Sequence, residues 1–246
     1  IVGKISKSFA ALTGLKEGMP VVAGSGDQPA TALGAGIVKP GLAFDVGGTA
    51  QVFSFYADRY QPDMETGTFL QMRSIIDGGW QPLAFLNGGG LCLRWFRDEL
   101  TGAGATMSYD ELSAEAKDLN PGSDGLVFVP HFGGRVTPND PYVRGSWIGL
   151  KFTHKRAHLW RAIMEGIAYE YRYYQEVAKK LYPDMNIAAM YAIGGGAKSP
   201  LFLSIKSDVL GMPVHKLKAS DSALIGSAVV AGYGVGLFSS LEEPVL

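Results

Sequence analysis

The sequence predicts an α/β chain built on a mixed sheet flanked by helices, and three observations carry that prediction. Between residues 41 and 86, four strand-like segments follow one another with only turn clusters between them. Between residues 188 and 233, strand-like and helical segments alternate instead. Glycine supplies 33 of the 246 residues, about 13% against a usual ~7%, and it gathers at strand ends rather than in a tract. Turns of that kind let backbone come close to a ligand.

Taken in order, residues 8–15 read as a short helix ended by Gly14 or Gly18. Pro20 leads into a strand over 21–23, and the turn 24–27 carries Asp27. Pro29 sits where a first helical turn tolerates it, so 29–33 is helical. Lys39-Pro40-Gly41 is a turn signal and the expected domain boundary and hinge. Strands are expected at 42–46, 51–56, 68–76 and 81–86, the last two joined through Asp77-Gly78-Gly79 as a hairpin. Gly88-Gly89-Gly90 opens a helix over 91–100, and Ser108, three residues ahead of Glu111, forms a capping box for a helix over 108–119. A buried strand at 126–132, a Pro-containing loop at 133–145 and a strand at 147–152 precede the longest helix, 154–181. There Leu159, Ile163, Ile167, Tyr171, Tyr174, Ala178 and Leu181 recur at three- and four-residue steps, which makes that face core. Ala162 and Gly166 beside the stripe would admit another element closely. Strands at 188–193 and 213–217 and helices at 201–210 and 222–233 complete the chain.

The totals exclude several classes of function. With 47% hydrophobic and 18% charged residues the chain is globular, and a net charge of −1 offers no basic surface for nucleic acid or an anionic membrane. No apolar run approaches the roughly 20 residues of a membrane-spanning helix. A lone cysteine, Cys92, forms no internal disulfide and fits a reducing compartment, so a cytoplasmic location is expected. The opening IVGKISKSFA resembles neither a signal peptide nor a natural start, so the chain is expected to be an excised part of a longer protein.

Three glycine turns, at 24–27, 47–49 and 194–196, follow predicted strands. Backbone without side chains at such positions presents N–H donors that suit phosphate oxygens, although no GxxxxGK[ST] loop is present. With an acid in the first turn, the set points to nucleotide handling. His154 and His158 stand four apart but lack the glutamate of a helical zinc motif and a third ligand. Arg94 and Arg97 are expected on an exposed helix face, and Glu165 in a structural role.

Four stretches then carry a family resemblance: VVAGSGDQPATALGAGIVKPG, FDVGGTAQ, RGSWIGLKFTHKRAHLWRAIMEGIA, and IGGGAKSPLFLSIKSDVLGMPV followed by DSALIGSAVVAGYGVG. Together, from about Val2 to Phe238, they resemble the C-terminal half of an FGGY-type carbohydrate kinase, and the loop HFGGRVTPNDPYVRG is similar to xylulokinase-like members. The resemblance implies an actin-like ATPase (ribonuclease H-like) fold, with residues 1–38 the tail of the N-terminal sugar-binding domain and 39–246 the nucleotide-binding domain. It implies ATP with Mg²⁺, a sugar or polyol such as the ketopentose xylulose, the rest of the N-terminal domain as missing partner, and a homodimer as one admissible assembly. By the same resemblance Asp27 is the catalytic base and a metal-side carboxylate, with Gly26 and Gln28 beside it at the substrate. Gly47, Gly48 and Thr49 would hold the β- and γ-phosphates; Gly195, Gly196, Ala197 and Ser199 would pack on adenine and ribose. Asp45 is similar in position to the acid of a DxGGxT loop, where it would hold Mg²⁺ through water or serve as a plain strand residue. Two further readings stay open: a non-catalytic actin-like nucleotide-binding module, and a kinase of glycerol or another polyol.

Overall fold

The structure, a computed structural model, describes residues 1–101, 107–218 and 221–246. The chain begins with β1 (Gly3–Lys4), α1 (Lys7–Thr13) and β2 (Pro20–Val21), followed by α2 (Asp27–Gly34). β1 and β2 pair only with each other, and α1 buries no side chain. The strand expected at 21–23 therefore stops at Val21, because its partner offers only two residues; 22–26 have no regular structure.

Four strands follow: β3 (Leu42–Gly47), β4 (Gln51–Phe55), β5 (Leu70–Arg73) and β6 (Trp80–Leu86). After them come α3 (Gly89–Leu100), α4 (Tyr109–Ala116), the ribbon of β7 (Val127–Val129) and β8 (Ser146–Ile148), and α5 (Arg156–Leu181). β9 (Ala189–Gly194), α6 (Pro200–Leu210), β10 (Val214–Lys216) and α7 (Ser222–Gly234) close the fold. The main sheet runs β10-β9-β3-β4-β6-β5, parallel through β10, β9 and β3 and antiparallel from β3 onward. This is the mixed sheet that the sequence predicts. The β5–β6 hairpin turns through Gly78 at φ +73°, and the Ser108–Glu111 capping box forms at α4. Several strands are shorter than expected, notably β5, β7 and β8, because each lies at an edge or in a two-stranded ribbon where few partners extend it.

α5 is the mechanical centre. The C-terminal half of its predicted stripe meets the sheet, where Tyr171, Tyr174 and Ala178 pack with Phe53, Phe55 and Ala84. Its N-terminal half is buried as well, stripe residues Ile163 and Ile167 packing together with Trp160, Met164 and Ala168 against Phe96, Leu112 and Phe202 from α3, α4 and α6. A Cβ on Gly166 would overlap the carbonyl oxygen of Phe128, so β7 lies directly on the helix there. Glu165 is structural, as expected: it accepts from Gly122 N–H (3.0 Å), Ser123 Oγ (2.8 Å) and Arg161 Nε (2.7 Å), fixing the turn before β7.

On the other sheet face, α2 packs against α7 backbone to backbone. A Cβ on Gly34 would overlap Ser222 O, and one on Gly226 would overlap Ala30 O. Ala32, Ala35 and Ile37 join Phe44 and Ile193, while Leu33 and Val38 join Val229. The apolar core thus runs unbroken across Lys39-Pro40-Gly41, the expected hinge, because 30–38 sinks between sheet and α7.

Candidate nucleotide site

β3 and β9 are parallel neighbours, with Gly47 opposite Gly194 at their carboxyl ends. Loops at such ends are where open α/β sheets bind ligands. The two glycine turns, 47–49 and 194–196, are consequently in contact. A Cβ on Gly194 would stand 2.7 Å from Gly47 O, and one on Gly47 only 3.3 Å from Gly196 Cα. A third glycine run joins them. At the start of α3, Gly88 adopts φ +79°, and a Cβ on Gly90 would overlap Gly48 O. The N–H of Leu91 donates to Thr49 O (3.0 Å), tying the helix start to the loop. The first-turn N–H groups of α3 have no acceptor within the helix and carry its positive end.

These turns form one wall of a cavity of about 540 Å³. Gly47, Gly48, Thr49, Gly90, Gly195 and Gly196 contribute backbone. Leu93, Trp160, Met164 and Phe202 make an apolar rear wall, and Trp160 is held by a hydrogen bond from Nε1 to Ser113 Oγ (3.3 Å). Ser108, Tyr109 and Asp110 line the α4 side, while Arg94 and Lys198 supply two cations that form no ion pair among the described residues. An apolar slot continued by bare N–H groups and cations is chemically suited to a planar base carrying a phosphate chain.

Beneath the 47–49 loop lies a fully buried polar cluster. Lys206 of α6 forms an ion pair with Asp45 Oδ2, and Tyr171 of α5 donates to Asp45 Oδ1 (2.5 Å). Lys206 Nζ also donates to Gln51 Oε1 (3.1 Å) and stands 4.7 Å from the Tyr171 ring centre. Burial pulls the Lys206 ammonium below the usual lysine range, opposed by Asp45; burial and then Asp45 push the Tyr171 hydroxyl well up. Both Asp45 oxygens are therefore occupied, and the carboxylate has no surface. Of the two roles left open for Asp45, this burial and pairing fit the plain strand residue, here anchoring the loop.

With this geometry in place, the sequence profile of the FGGY family of carbohydrate kinases, C-terminal domain, matches residues 55–235. The chain belongs to the FGGY family. It is 31% identical to the xylulose kinase of Bacillus subtilis (strain 168) over 243 residues, which are 98% of this chain and 48% of that protein. It is 30% identical to the gluconokinase of the same organism over 246 residues, with 96% and 47% covered. Its fold superposes on the crystal structure of xylulose kinase from Rhodospirillum rubrum with a TM-score of 0.87 at 30% identity, covering 100% of this chain and 49% of that one. The chain spans about half the length of the curated relatives it matches. The actin-like α/β fold and the correspondence to the C-terminal half of an FGGY kinase follow.

Within this FGGY domain, Gly47, Gly48, Thr49, Gly195, Gly196 and Ser199 all line the cavity. Ala197 does not; it is 4% exposed and faces the interior. Ser199 also caps α6, accepting from Phe202 N–H (3.3 Å). Asp27, Gly26 and Gln28 stand apart from the cavity. Asp27 is the exposed first residue of α2, Gly26 is its N-cap, and among the described residues the carboxylate accepts one bond, from Gln28 N–H (2.8 Å) to Oδ1. Arg97 pairs with Asp98 and stacks over Tyr109 (4.6 Å), while Arg94 is exposed, as expected, and also lines the cavity. His154 and His158 each use Nδ1 to accept a backbone N–H, from Lys151 and Lys155. Among the described residues no cluster of three or more His, Cys, Asp or Glu could hold a metal, and no helix is long and apolar enough to cross a membrane.

Sequence reasoning missed Gly90, Gln51, Lys198 and the rear wall. The glycine run before α3 was the available signal for Gly90. Trp160 and Met164 had none, since they lie off the stripe by which α5 was read.

Proposed function

We propose that this chain is the nucleotide-binding half of an ATP-dependent kinase acting on a sugar hydroxyl, with a ketopentose such as xylulose as the substrate. The observation that carries the proposal is the meeting of the 47–49, 88–90 and 194–196 glycine turns around one cavity with Arg94 and Lys198. What supports a nucleotide there is the joining of an apolar wall to glycine backbone and the cations Arg94 and Lys198 in one cavity. In this reading the Thr49 and Gly90 backbone holds phosphate oxygens, while Gly48 lines the cavity with its N–H donated to Ala50 O (2.9 Å); Arg94 and Lys198 offset the phosphate charge, and the rear wall covers the base.

Asp27 takes the proton from the attacking hydroxyl. Its exposed carboxylate has one oxygen free of partners among the described residues, as a base approached by substrate requires. The same oxygen suits a Mg²⁺ held chiefly by phosphates and water, and the ion when bound would neutralise charge on the transferred group. In this proposal residues 1–38 are the tail that leads from the sugar-binding domain and carries Asp27, with 30–38 anchored between the sheet and α7, and the protein works in the cytoplasm. The similarity to xylulose kinase supports the ketopentose, and the similarity to gluconokinase makes the acid sugar the second substrate to try.

The test is a phosphorylation screen of the full-length protein with ATP and Mg²⁺ over ketopentoses, gluconate, glycerol and other polyols. Transfer to xylulose well above the rest supports the proposal. ADP binding without transfer to any of them would mean a nucleotide-binding module instead.

A further inference from the structure

Gln51 opens β4 immediately after the 47–50 turn, is 1% exposed, and lines the cavity. We infer that Gln51 is a phosphate-binding residue, its side-chain N–H groups donating to the phosphate chain of the bound nucleotide, and that Lys206 is the residue that positions it. The inference rests on the nucleotide reading of the cavity.

The orientation of the amide follows from chemistry. Lys206 Nζ, 3.1 Å away, has donors only, so the atom of Gln51 facing it must be the acceptor Oε1. Turning the amide over would set two donors against each other in a buried site. Tyr171 OH also lies 3.1 Å from Oε1 but spends its one proton on Asp45 Oδ1, so the ammonium of Lys206 is what holds the amide. With Oε1 thus held in the interior, Nε2 is the branch left for the cavity, and it donates to no protein group among the described residues. An amide donor without a protein partner that opens on a cavity is available to an acceptor there. Its position two residues after Thr49 puts it at the loop end, away from the apolar rear wall. The nearby ammonium also polarises the amide, making its N–H groups better donors.

The neighbouring sequence is built around this side chain. A Cβ on Gly89 would stand 2.6 Å from Gln51 Cγ, so Gly89 makes room for Gln51 as Gly90 does for Gly48. Asp45 fixes Lys206 by charge, so one cluster anchors both strands that flank the loop, β3 through Asp45 and β4 through Gln51. A buried ion pair there is a costly way to gain stability, but it holds a donor in one orientation.

The test compares ADP with adenosine by calorimetry on the full-length protein and two variants. Gln51→Glu keeps an acceptor for Lys206 but turns the donor into a carboxylate oxygen; Gln51→Met keeps the bulk and removes both. ADP affinity should fall about ten-fold in Gln51→Met and further in Gln51→Glu, the scale of a hydrogen bond to a charged group, while adenosine affinity holds. In the unaltered protein, the Gln51 side-chain amide resonances should shift with ADP and stay put with adenosine, a readout that survives any folding defect of the variants. Equal loss for both ligands, no loss for either, or an amide indifferent to ADP overturns the assignment. Wild-type protein that binds neither ligand overturns the nucleotide reading itself, and this inference with it.

Discussion

Two of the glycine turns, GSGD at 24–27 and GGT at 47–49, are held in opposite ways. The second is pinned from three sides: by the β9 turn against Gly47, by the α3 start against Gly48 and Thr49, and from below by Lys206 and Tyr171 on Asp45. The first is exposed, and Asp27 makes one local bond. Phosphate recognition by backbone needs fixed N–H groups, because any freedom is lost at an entropic cost on binding. A base that meets a second substrate needs access instead, and its counterpart surface lies outside this chain's cavity. On the proposed roles, rigidity would sit where phosphate is recognised, and exposure where the proton would be taken.

Three predictions would break or sharpen that contrast. The largest effect is expected at the exposed turn. Asp27→Ala in the full-length protein should lower the transfer rate by about 10²–10⁴-fold. ADP affinity should stay within about two-fold, and stability within roughly 0.5 kcal/mol, as for other exposed side chains. Steady-state rates beside a urea melt would show both, and transfer that persists would remove Asp27 from the reaction.

At the pinned turn the pattern should invert, with stability and binding lost together. Gly90→Ala sets a methyl group into Gly48 O, a backbone atom that cannot swing aside. A cost of about 3 kcal/mol in urea unfolding is expected, with a matching loss of ADP affinity. An unchanged melting curve would mean that the α3 start is not locked to the loop.

The smallest effect concerns Cys92, two residues past Gly90. Burial lifts its thiol from 9.0 to about 11. A raised acid is stabilising while protonated in the fold, so its contribution is whole below pH 9.0 and is lost as pH climbs to about 11, roughly 2–3 kcal/mol in all. Chemical denaturation across that range, against Cys92→Ala, measures it. Alkylation of Cys92 at pH 8 should be slow in the wild type and faster in Gly90→Ala, where α3 opens more often.

Residue pattern alone was enough for the succession of strands and helices, the β5–β6 hairpin, the α4 capping box and the core stripe of α5, because each rests on local periodicity or turn chemistry. Family resemblance added Gly47–Thr49 and Gly195–Ser199 as one site. Tertiary structure alone decided what surrounds those residues. Asp45 reads identically in sequence whether it faces a metal or a lysine 161 positions away, and the partner exists only once α6 packs under the sheet. Gln51 is an ordinary polar residue at a strand start until Lys206 fixes its amide. The run Gly88-Gly89-Gly90 is a plain helix opening until Gly48 O and Gln51 Cγ come up against it. Local pattern records what a residue does to its own backbone; which distant groups it must meet, and with which atom, is settled only by packing.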